Sequence, residues 1–228
     1  MKKERHIFLA AIIITLLLLC CLSLYIRGSF QDYAVNEKHL DSLPLMSATE
    51  FTPKDKFPEV DSLVSASSII LLVEGLDEHI QFEYSILSAC KVIEVYKGSE
   101  DIPIISGEVI YVHEPFVVAN GFCASDSGYM LMQNQRKYVL FLNFYEQPEG
   151  YRYSDIDMRT FLLANVPWGK VAVKWLETSA YVPDINVGVY RSYESLKEYM
   201  LISISESEIK SYRSLCEQVC LRYNINRE

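Results

Sequence analysis

The stretch that decides the fold is KYVLFLNFY, at residues 137–145. Its centre, from Tyr138 to Leu142, is apolar at every position. A short uninterrupted apolar run of this kind is typical of a strand with both faces buried. The earlier stretch SIILLVEGL, at residues 68–76, has the same character. We therefore expect these two segments to be central strands of one sheet.

Other segments extend the predicted sheet to about six strands. Residues 80–96 alternate apolar and polar side chains at first, and the phase then changes. This predicts one long bent strand with a β-bulge near Ser88–Ala89. The remaining predicted strands lie at residues 108–113, 160–164 and 170–175. The predicted fold class is mainly β: a small OB-like Greek-key β-barrel with C-terminal helices, preceded by an N-terminal transmembrane helix. A β-sandwich is the alternative architecture.

Helical signals surround the predicted strands. Pro58 opens a predicted helical turn, since proline suits the first helical position. Ser192 caps a predicted helix that runs to about Ile202. Ser205–Glu208 is a capping box, and apolar residues then recur at helical spacing as far as Tyr223. The stripe predicts a terminal helix that packs on the barrel or, alternatively, one that binds a partner.

The N-terminus predicts a membrane anchor. Residues 7–26 are uncharged, and as a helix they would be about 30 Å long, the thickness of a bilayer core. Lys2, Lys3 and Arg5 precede this run, which predicts a cytoplasmic N-terminus and an extracytoplasmic C-terminal domain. We therefore expect a single-pass protein of the cell membrane that contacts the lipid bilayer through residues 7–26. A cleaved secretory signal and a lipoprotein are the alternatives, and the residues around Cys20 fit both poorly.

The sequence thus predicts five consecutive parts. They are residues 1–6, a cytoplasmic N-terminus; 7–26, a transmembrane helix; 27–56, a juxtamembrane tether with a short helix near 36–43; 57–178, the OB-like β-barrel; and 179–228, a C-terminal helical segment. The formal charge of the whole chain is −9, whereas residues 28–228 hold 17 basic and 29 acidic residues, a net of −12. This excess excludes nucleic acid as a partner, because such binding requires Lys and Arg to neutralise phosphates. Cations, basic proteins and neutral glycans remain as classes of partner.

Five motifs follow one another along the central part of the chain. They are LLVEGL (71–76), YSILSACKVIEVYKG (84–98), GEVIYV (107–112), YMLMQNQRKYVLFLNFY (129–145) and WGKVAVKW (168–175). In this order they resemble membrane-anchored OB-fold-like extracytoplasmic domains of Gram-positive bacteria, most of them uncharacterised. The resemblance covers about 110 of the 228 residues and implies the barrel, but it brings no catalytic residues. The same barrel class includes the tissue inhibitors of metalloproteases, whose N-terminal cysteine ligates zinc. A cytoplasmic N-terminus excludes that mechanism here.

The cysteines outside the anchor allow disulfides in an oxidising compartment. Cys90 and Cys123 form the better candidate pair, because Cys216 and Cys220 would strain a helix if they were bridged. The alternative is that all four are buried thiols. We predict no metal site and no cofactor, since the histidines are isolated in the sequence.

Catalytic motifs are absent from the sequence. It contains no G-x-S-x-G, no H-E-x-x-H and no glycine-rich phosphate loop. The nearest approach to a site is His113-Glu114-Pro115, which we interpret as a solvated strand end. We therefore expect the protein not to be an enzyme.

The most suggestive candidate site is YEQPEGYRY, at residues 145–153, between two predicted strands. Tyrosine offers an apolar body and a polar tip, which suits recognition of a glycan or a peptide. The predicted binding residues are Tyr145, Tyr151, Tyr153 and Asp155. The alternative is that these tyrosines pack on the neighbouring hairpin.

The predicted function is that of an anchored extracytoplasmic binding or assembly module with a protein or cell-wall glycan partner. A cell-envelope hydrolase with an unrecognised site is one alternative. An inhibitor or sensor subunit of a membrane complex is the other.

Overall fold

The computed structural model describes most of the chain between residues 13 and 226. The described stretches are residues 13–24, 37–48, 58–82, 85–100, 102–119, 121–126, 128–147, 149–166, 168–174, 179–181, 191–203 and 205–226. The chain divides into two compact units, Met1–Tyr33 and Ala34–Glu228.

In the first unit, residues 13–24 form a helix, α1. Its leucines are exposed, among them Leu18 at 66% and Leu24 at 69%. The other parts of the predicted anchor, residues 7–12 and 25–26, lie outside the described residues. Within the described parts of the chain, no helix is both long and apolar enough to span a membrane. The anchor over residues 7–26 stays a prediction.

The second unit is mainly β, as the sequence predicts, with sheets and a C-terminal helix. Its helices are α2 (Glu37–Asp41), α3 (Val60–Ala66), α4 (Tyr193–Leu196) and α5 (Glu206–Arg222), with a 3-10 turn at Asp157–Arg159. Its strands are β1 (Pro44–Ala48), β2 (Ile69–Phe82), β3 (Ser85–Lys97), β4 (Val109–Glu114), β5 (Phe116–Ala119), β6 (Phe122–Asp126), β7 (Lys137–Phe144), β8 (Thr160–Leu163), β9 (Lys170–Ala172), β10 (Ser179–Tyr181), β11 (Arg191–Ser192) and β12 (Leu201–Ser203).

Strand β2 organises the largest sheet, because it pairs antiparallel with β3 along one edge and with β7 along the other. The order of this sheet is β2-β3-β4-β8-β7-β9, with the further pairing of β2 to β7. Its pairs are antiparallel except that β4 and β8 run parallel. The apolar run predicted both central strands correctly, since residues 69–73 of β2 and 138–142 of β7 are all buried.

The single long strand predicted over residues 80–96 is wrong. Residues 80–82 end β2, and β3 begins at Ser85 after a hairpin tip at residues 83–84 that lies outside the described residues. The pairing also shifts between Gly75 and His79, so the extra residues of this irregularity belong to β2 rather than to β3. The sequence between β2 and β3, Glu83-Tyr84, contains no Gly, Pro or Asn, so alternation alone does not reveal that two strands meet here.

Part of the predicted tether belongs to the second unit. Strand β1 pairs parallel with β6 and antiparallel with β11, in a four-stranded sheet of order β11-β1-β6-β5. Helix α2 confirms the short helix expected near residues 36–43. Leu40 and Leu45 are buried in a second core cluster that also contains Phe116 and Tyr193. The folded part of the chain thus extends into residues 27–56.

The C-terminal segment is less helical than predicted. The helix expected from Ser192 to about Ile202 ends at Leu196, because residues 201–203 instead pair with β10 as strand β12. Helix α5 confirms the second prediction: the Ser205 hydroxyl accepts a hydrogen bond from the Glu208 N–H at 3.4 Å. Its predicted stripe is buried: Ile209, Tyr212, Leu215, Cys216, Val219 and Cys220. Helix α5 therefore packs against the rest of the second unit through this face.

A close backbone approach at Gly75 yields a stability test. A Cβ at this position would collide with the Gln133 carbonyl oxygen, whereas one at Gly98 would lie 3.7 Å from Val95 Cγ1, an ordinary contact. We expect Gly75→Ala to lower the free energy of unfolding by about 1–3 kcal/mol, as overpacking does. Gly98→Ala is the control and should change it little. Urea denaturation measures both, and equal losses would contradict the close approach.

Candidate functional site

Between β7 and β8 lies an exposed loop, residues 145–159, which we call the aromatic loop. It presents four large side chains to solvent within eight residues. They are Tyr151 (48% exposed), Tyr153 (38%), Ile156 (46%) and Met158 (44%). Single exposed apolar residues are common on proteins, so the grouping of four on one short loop is what makes this loop a candidate contact surface.

The carboxylate of Asp157 fixes the conformation of this loop. Its Oδ2 accepts hydrogen bonds from the Ser154 N–H at 2.8 Å, the Ser154 hydroxyl at 2.7 Å and the Tyr151 hydroxyl at 3.1 Å. The Ser154 hydroxyl in turn accepts one from the Asp157 N–H at 3.2 Å. The bonds from Ser154, and then that from Tyr151, lower the pKa of Asp157 below its ordinary value. The loop is therefore held by its own residues while its apolar side chains face outward.

The predicted binding tyrosines differ in their surroundings. Tyr153 stacks on Phe144 with ring centroids 5.8 Å apart, and its hydroxyl accepts a hydrogen bond from the Gln147 N–H at 2.8 Å. Tyr151 meets Tyr153 edge-on at 5.6 Å and is the more exposed of the two. Tyr153 is thus a support for the loop as well as part of its surface, whereas Tyr151 is mainly surface.

A second aromatic group continues the surface toward the β2–β3 hairpin. His113, on β4, lies 4.9 Å from the ring of Tyr145 and 5.2 Å from that of Phe82, both in edge-on geometry. Its Nδ1 is 2.9 Å from the Ser85 hydroxyl. Partial burial lowers the pKa of His113. Tyr145, at the start of the aromatic loop, is therefore linked through His113 to Phe82 at the end of β2.

The predicted set Tyr145, Tyr151, Tyr153 and Asp155 lies within this one loop. Asp155 is exposed, and the carboxylate that organises the loop is Asp157 instead. The sequence did contain the signal, because Ser154-x-x-Asp157 has the spacing of a helix-capping pair. It precedes only a single 3-10 turn, which has no apolar periodicity to draw attention to it.

The interpretation of His113-Glu114-Pro115 as a solvated strand end is wrong for Glu114. The side chain of Glu114 is fully buried, and its Oε2 lies 2.9 Å from the ammonium of Lys170, which is 2% exposed. Successive residues of a strand point to opposite faces, so His113 faces outward and Glu114 inward. His113, which faces outward, gives no indication in the sequence that the side chain of Glu114 is buried.

Hydrogen bonds satisfy the buried Glu114–Lys170 pair on all sides. Glu114 accepts them from the Tyr129 hydroxyl at 2.5 Å and from the Met132 N–H at 3.0 Å. The Lys170 ammonium donates to the Met130 carbonyl and lies 3.9 Å from the centroid of the Tyr129 ring. Charges buried in this way are tolerated only when paired and hydrogen-bonded.

For both Glu114 and Lys170, burial and the ion pair shift the pKa in opposite directions. Burial alone would raise the pKa of Glu114, but Lys170 and the hydrogen bonds from Ser88 and Tyr129 outweigh it and lower that pKa. Burial lowers the pKa of Lys170, which Glu114 opposes only in part. With both side chains closed off from solvent, the pair joins β4, β9 and residues 129–132 rather than meeting a ligand.

The predicted Cys90–Cys123 disulfide is not formed in the structure. Both are free, buried thiols. Cys90 packs in the core cluster of the largest sheet and Cys123 in the second cluster, which keeps the two sulfurs apart. Burial raises the pKa of Cys123 to about 12, so its thiol is protonated at neutral pH.

Comparison of the chain with protein-family models, with curated proteins and with solved structures finds no match in any of the three. Among the described residues, no group of three or more His, Cys, Asp or Glu side chains could hold a metal ion. Because the Glu114–Lys170 pair is closed off from solvent, the exposed aromatic loop is the feature from which we argue a function.

The buried pair makes a quantitative prediction. Glu114→Gln leaves the Lys170 ammonium buried without its counter-charge and should cost about 3–5 kcal/mol of unfolding free energy. Combining it with Lys170→Met should cost much less than the sum of the two single losses. The control cycle is the exposed pair Glu206–Lys210, whose charged atoms are 4.0 Å apart. Its coupling should stay below about 1 kcal/mol. Equal coupling energies in chemical denaturation would contradict the structural role of the buried pair.

Proposed function

We propose that the chain is a membrane-anchored extracytoplasmic binding or assembly module, which contacts a protein or cell-wall glycan partner through the aromatic loop. The observation that carries the proposal is the group of four exposed large side chains on a loop that Asp157 holds in place. A surface fixed before binding loses little conformational entropy when its partner arrives. This favours recognition as the task of the loop.

The arrangement of strands supports an OB-like barrel as the scaffold. The pairing runs from β2 through β3, β4, β8 and β7 and returns to β2, with β4 and β8 parallel. OB-folds are partly open five-stranded Greek-key barrels that bind ligands on strands 2 and 3 and on the loops after strands 1 and 4. The corresponding elements here are β3, β4, the β2–β3 hairpin and the aromatic loop. The row Phe82–His113–Tyr145 lies across these same elements.

The N-terminal segment supports the anchoring half of the proposal. Residues 13–24 are helical with exposed leucines, and the sequence from 7 to 26 carries no charge. Exposed leucines along a helix are costly in water and favourable in lipid. The basic residues before this segment favour a cytoplasmic N-terminus.

The anchor can be tested in cells. The full-length chain should be recovered in the membrane fraction, and protease added from outside should digest its C-terminus. Leu17→Arg with Leu18→Arg should weaken membrane insertion, since each arginine at a helix centre costs about 2.5–3.5 kcal/mol. A shortened wild-type product in the soluble fraction would contradict the anchor.

The binding surface can be tested by photo-crosslinking of the anchored protein in its own envelope. Benzoylphenylalanine at position 156 should give a discrete adduct that Tyr151→Ala weakens at least severalfold. The control position is Leu221, which is 73% exposed on α5. Tyr153→Ala should also lower the melting temperature, because it removes the stacking on Phe144. The proposal fails if positions 156 and 221 give the same adducts, or if neither gives any.

A further inference from the structure

We infer that the aromatic loop recognises a protein segment that carries arginine or lysine side chains. This inference rests on the proposed function and narrows its partner from "protein or glycan" to one chemical class. Three features of the loop support this inference: its charges, its exposed rings and its aliphatic side chains.

The charge of the loop is unbalanced toward the acidic side. It holds four carboxylates and two arginines, but Arg159 is already paired with Glu108 at 3.0 Å, and its other nitrogen donates to the Pro103 carbonyl. Asp157 is engaged by Ser154 and Tyr151 within the loop. The other charged side chains of the loop are the carboxylates Glu146, Glu149 and Asp155 and the guanidinium of Arg152, which together carry a net charge of −2. All four are exposed, and among the described residues none of the three carboxylates forms an ion pair.

The exposed ring of Tyr151 belongs to the same loop as these carboxylates, two residues after Glu149 and four before Asp155 in the sequence. A cation over the face of a tyrosine gains about 0.5–1 kcal/mol at an exposed site, and a guanidinium can stack on a ring while it pairs with a carboxylate. Inside the same protein, Lys170 already lies 3.9 Å over the ring of Tyr129. Rings with carboxylates beside them are therefore complementary to arginine and lysine.

The aliphatic neighbours favour a protein rather than a sugar or a free ion. Ile156 and Met158 add exposed apolar surface to the same loop. The long stems of arginine and lysine cover such surface while their charged ends stay in water. A neutral glycan could donate hydroxyl hydrogen bonds to the carboxylates but would gain no attraction between opposite charges, and an anionic wall polymer would be repelled by them. A cationic protein segment is the one class that uses all three features.

The test measures binding of a labelled probe to the full-length chain in phosphatidylcholine nanodiscs, by fluorescence anisotropy. The probe is a capped peptide of alternating glycine and arginine. Its comparators are the same peptide with glutamate in place of arginine, and a neutral N-acetylglucosamine tetramer. The arginine peptide should bind, and added salt should weaken it, because exposed charges are screened.

The variants separate the loop from the general acidity of the protein. Tyr151→Ala and Glu149→Gln should each lower the affinity for the arginine peptide about two- to fivefold, the range expected for one exposed contact. Tyr151→Phe keeps the ring and should retain binding, which controls for loss of the hydrogen bond to Asp157. Glu206→Gln, on the exposed face of α5, should change the affinity little.

Any of three outcomes overturns this inference. An equal loss in Glu206→Gln would mean that bulk charge attracts the peptide, and binding of the tetramer alone, lost in Tyr151→Ala, would identify a glycan site. The second outcome leaves the proposed function standing. If no probe binds while position 156 still crosslinks to a partner, the inferred recognition of a cationic segment is refuted and the proposed function is not. If the crosslink is also missing, the proposed function falls with it.

Discussion

Two opposite charges are buried where three separate segments of the chain meet. Glu114 ends β4, Lys170 begins β9, and residues 129–132 supply a hydroxyl, a carbonyl and an N–H to the pair. Each charge is costly inside the protein without the other. The pair therefore joins β4 to β9 within the largest sheet. The aromatic loop depends on that sheet, because both β7 and β8, between which it lies, belong to it.

The sheet and the loop have different sources of order. In the sheet, β2 is held along both edges and buried over residues 69–73, so its position depends on contacts distant in sequence. In the aromatic loop, the hydrogen bonds around Asp157 lie between residues 147 and 157. The stacking of Tyr153 on Phe144 and the bonds of Arg159 to Glu108 and Pro103 join the loop to the rest of the unit. Outward-facing side chains such as Ile156 and Met158 take no part in these hydrogen bonds, so the shape of the loop does not depend on them.

Predictions from the sequence succeeded where a pattern is local and uninterrupted. The apolar runs gave β2 and β7, and the capping box with its stripe gave α5. They failed where contacts distant in sequence determine the secondary structure. Residues 201–203 continue a helical pattern, but they pair with β10 as a strand. The candidate loop was found from its tyrosines. The roles of Asp157 and Glu114 were not, because each depends on a partner that composition does not identify. The sequence drew attention instead to Asp155, two residues before Asp157, and to the solvent-facing side of β4.

The local hydrogen bonding of Asp157 has a consequence for how recognition by this loop can change over time. Ser154 and Asp157 maintain the turn through bonds to each other, and two of these bonds use backbone N–H groups that any residue provides. Substitutions at residues 149, 152, 155 and 156 leave those bonds untouched. The loop can therefore accumulate new side chains while the sheet beneath it keeps its stability. A single conserved turn would then support many different specificities on one scaffold.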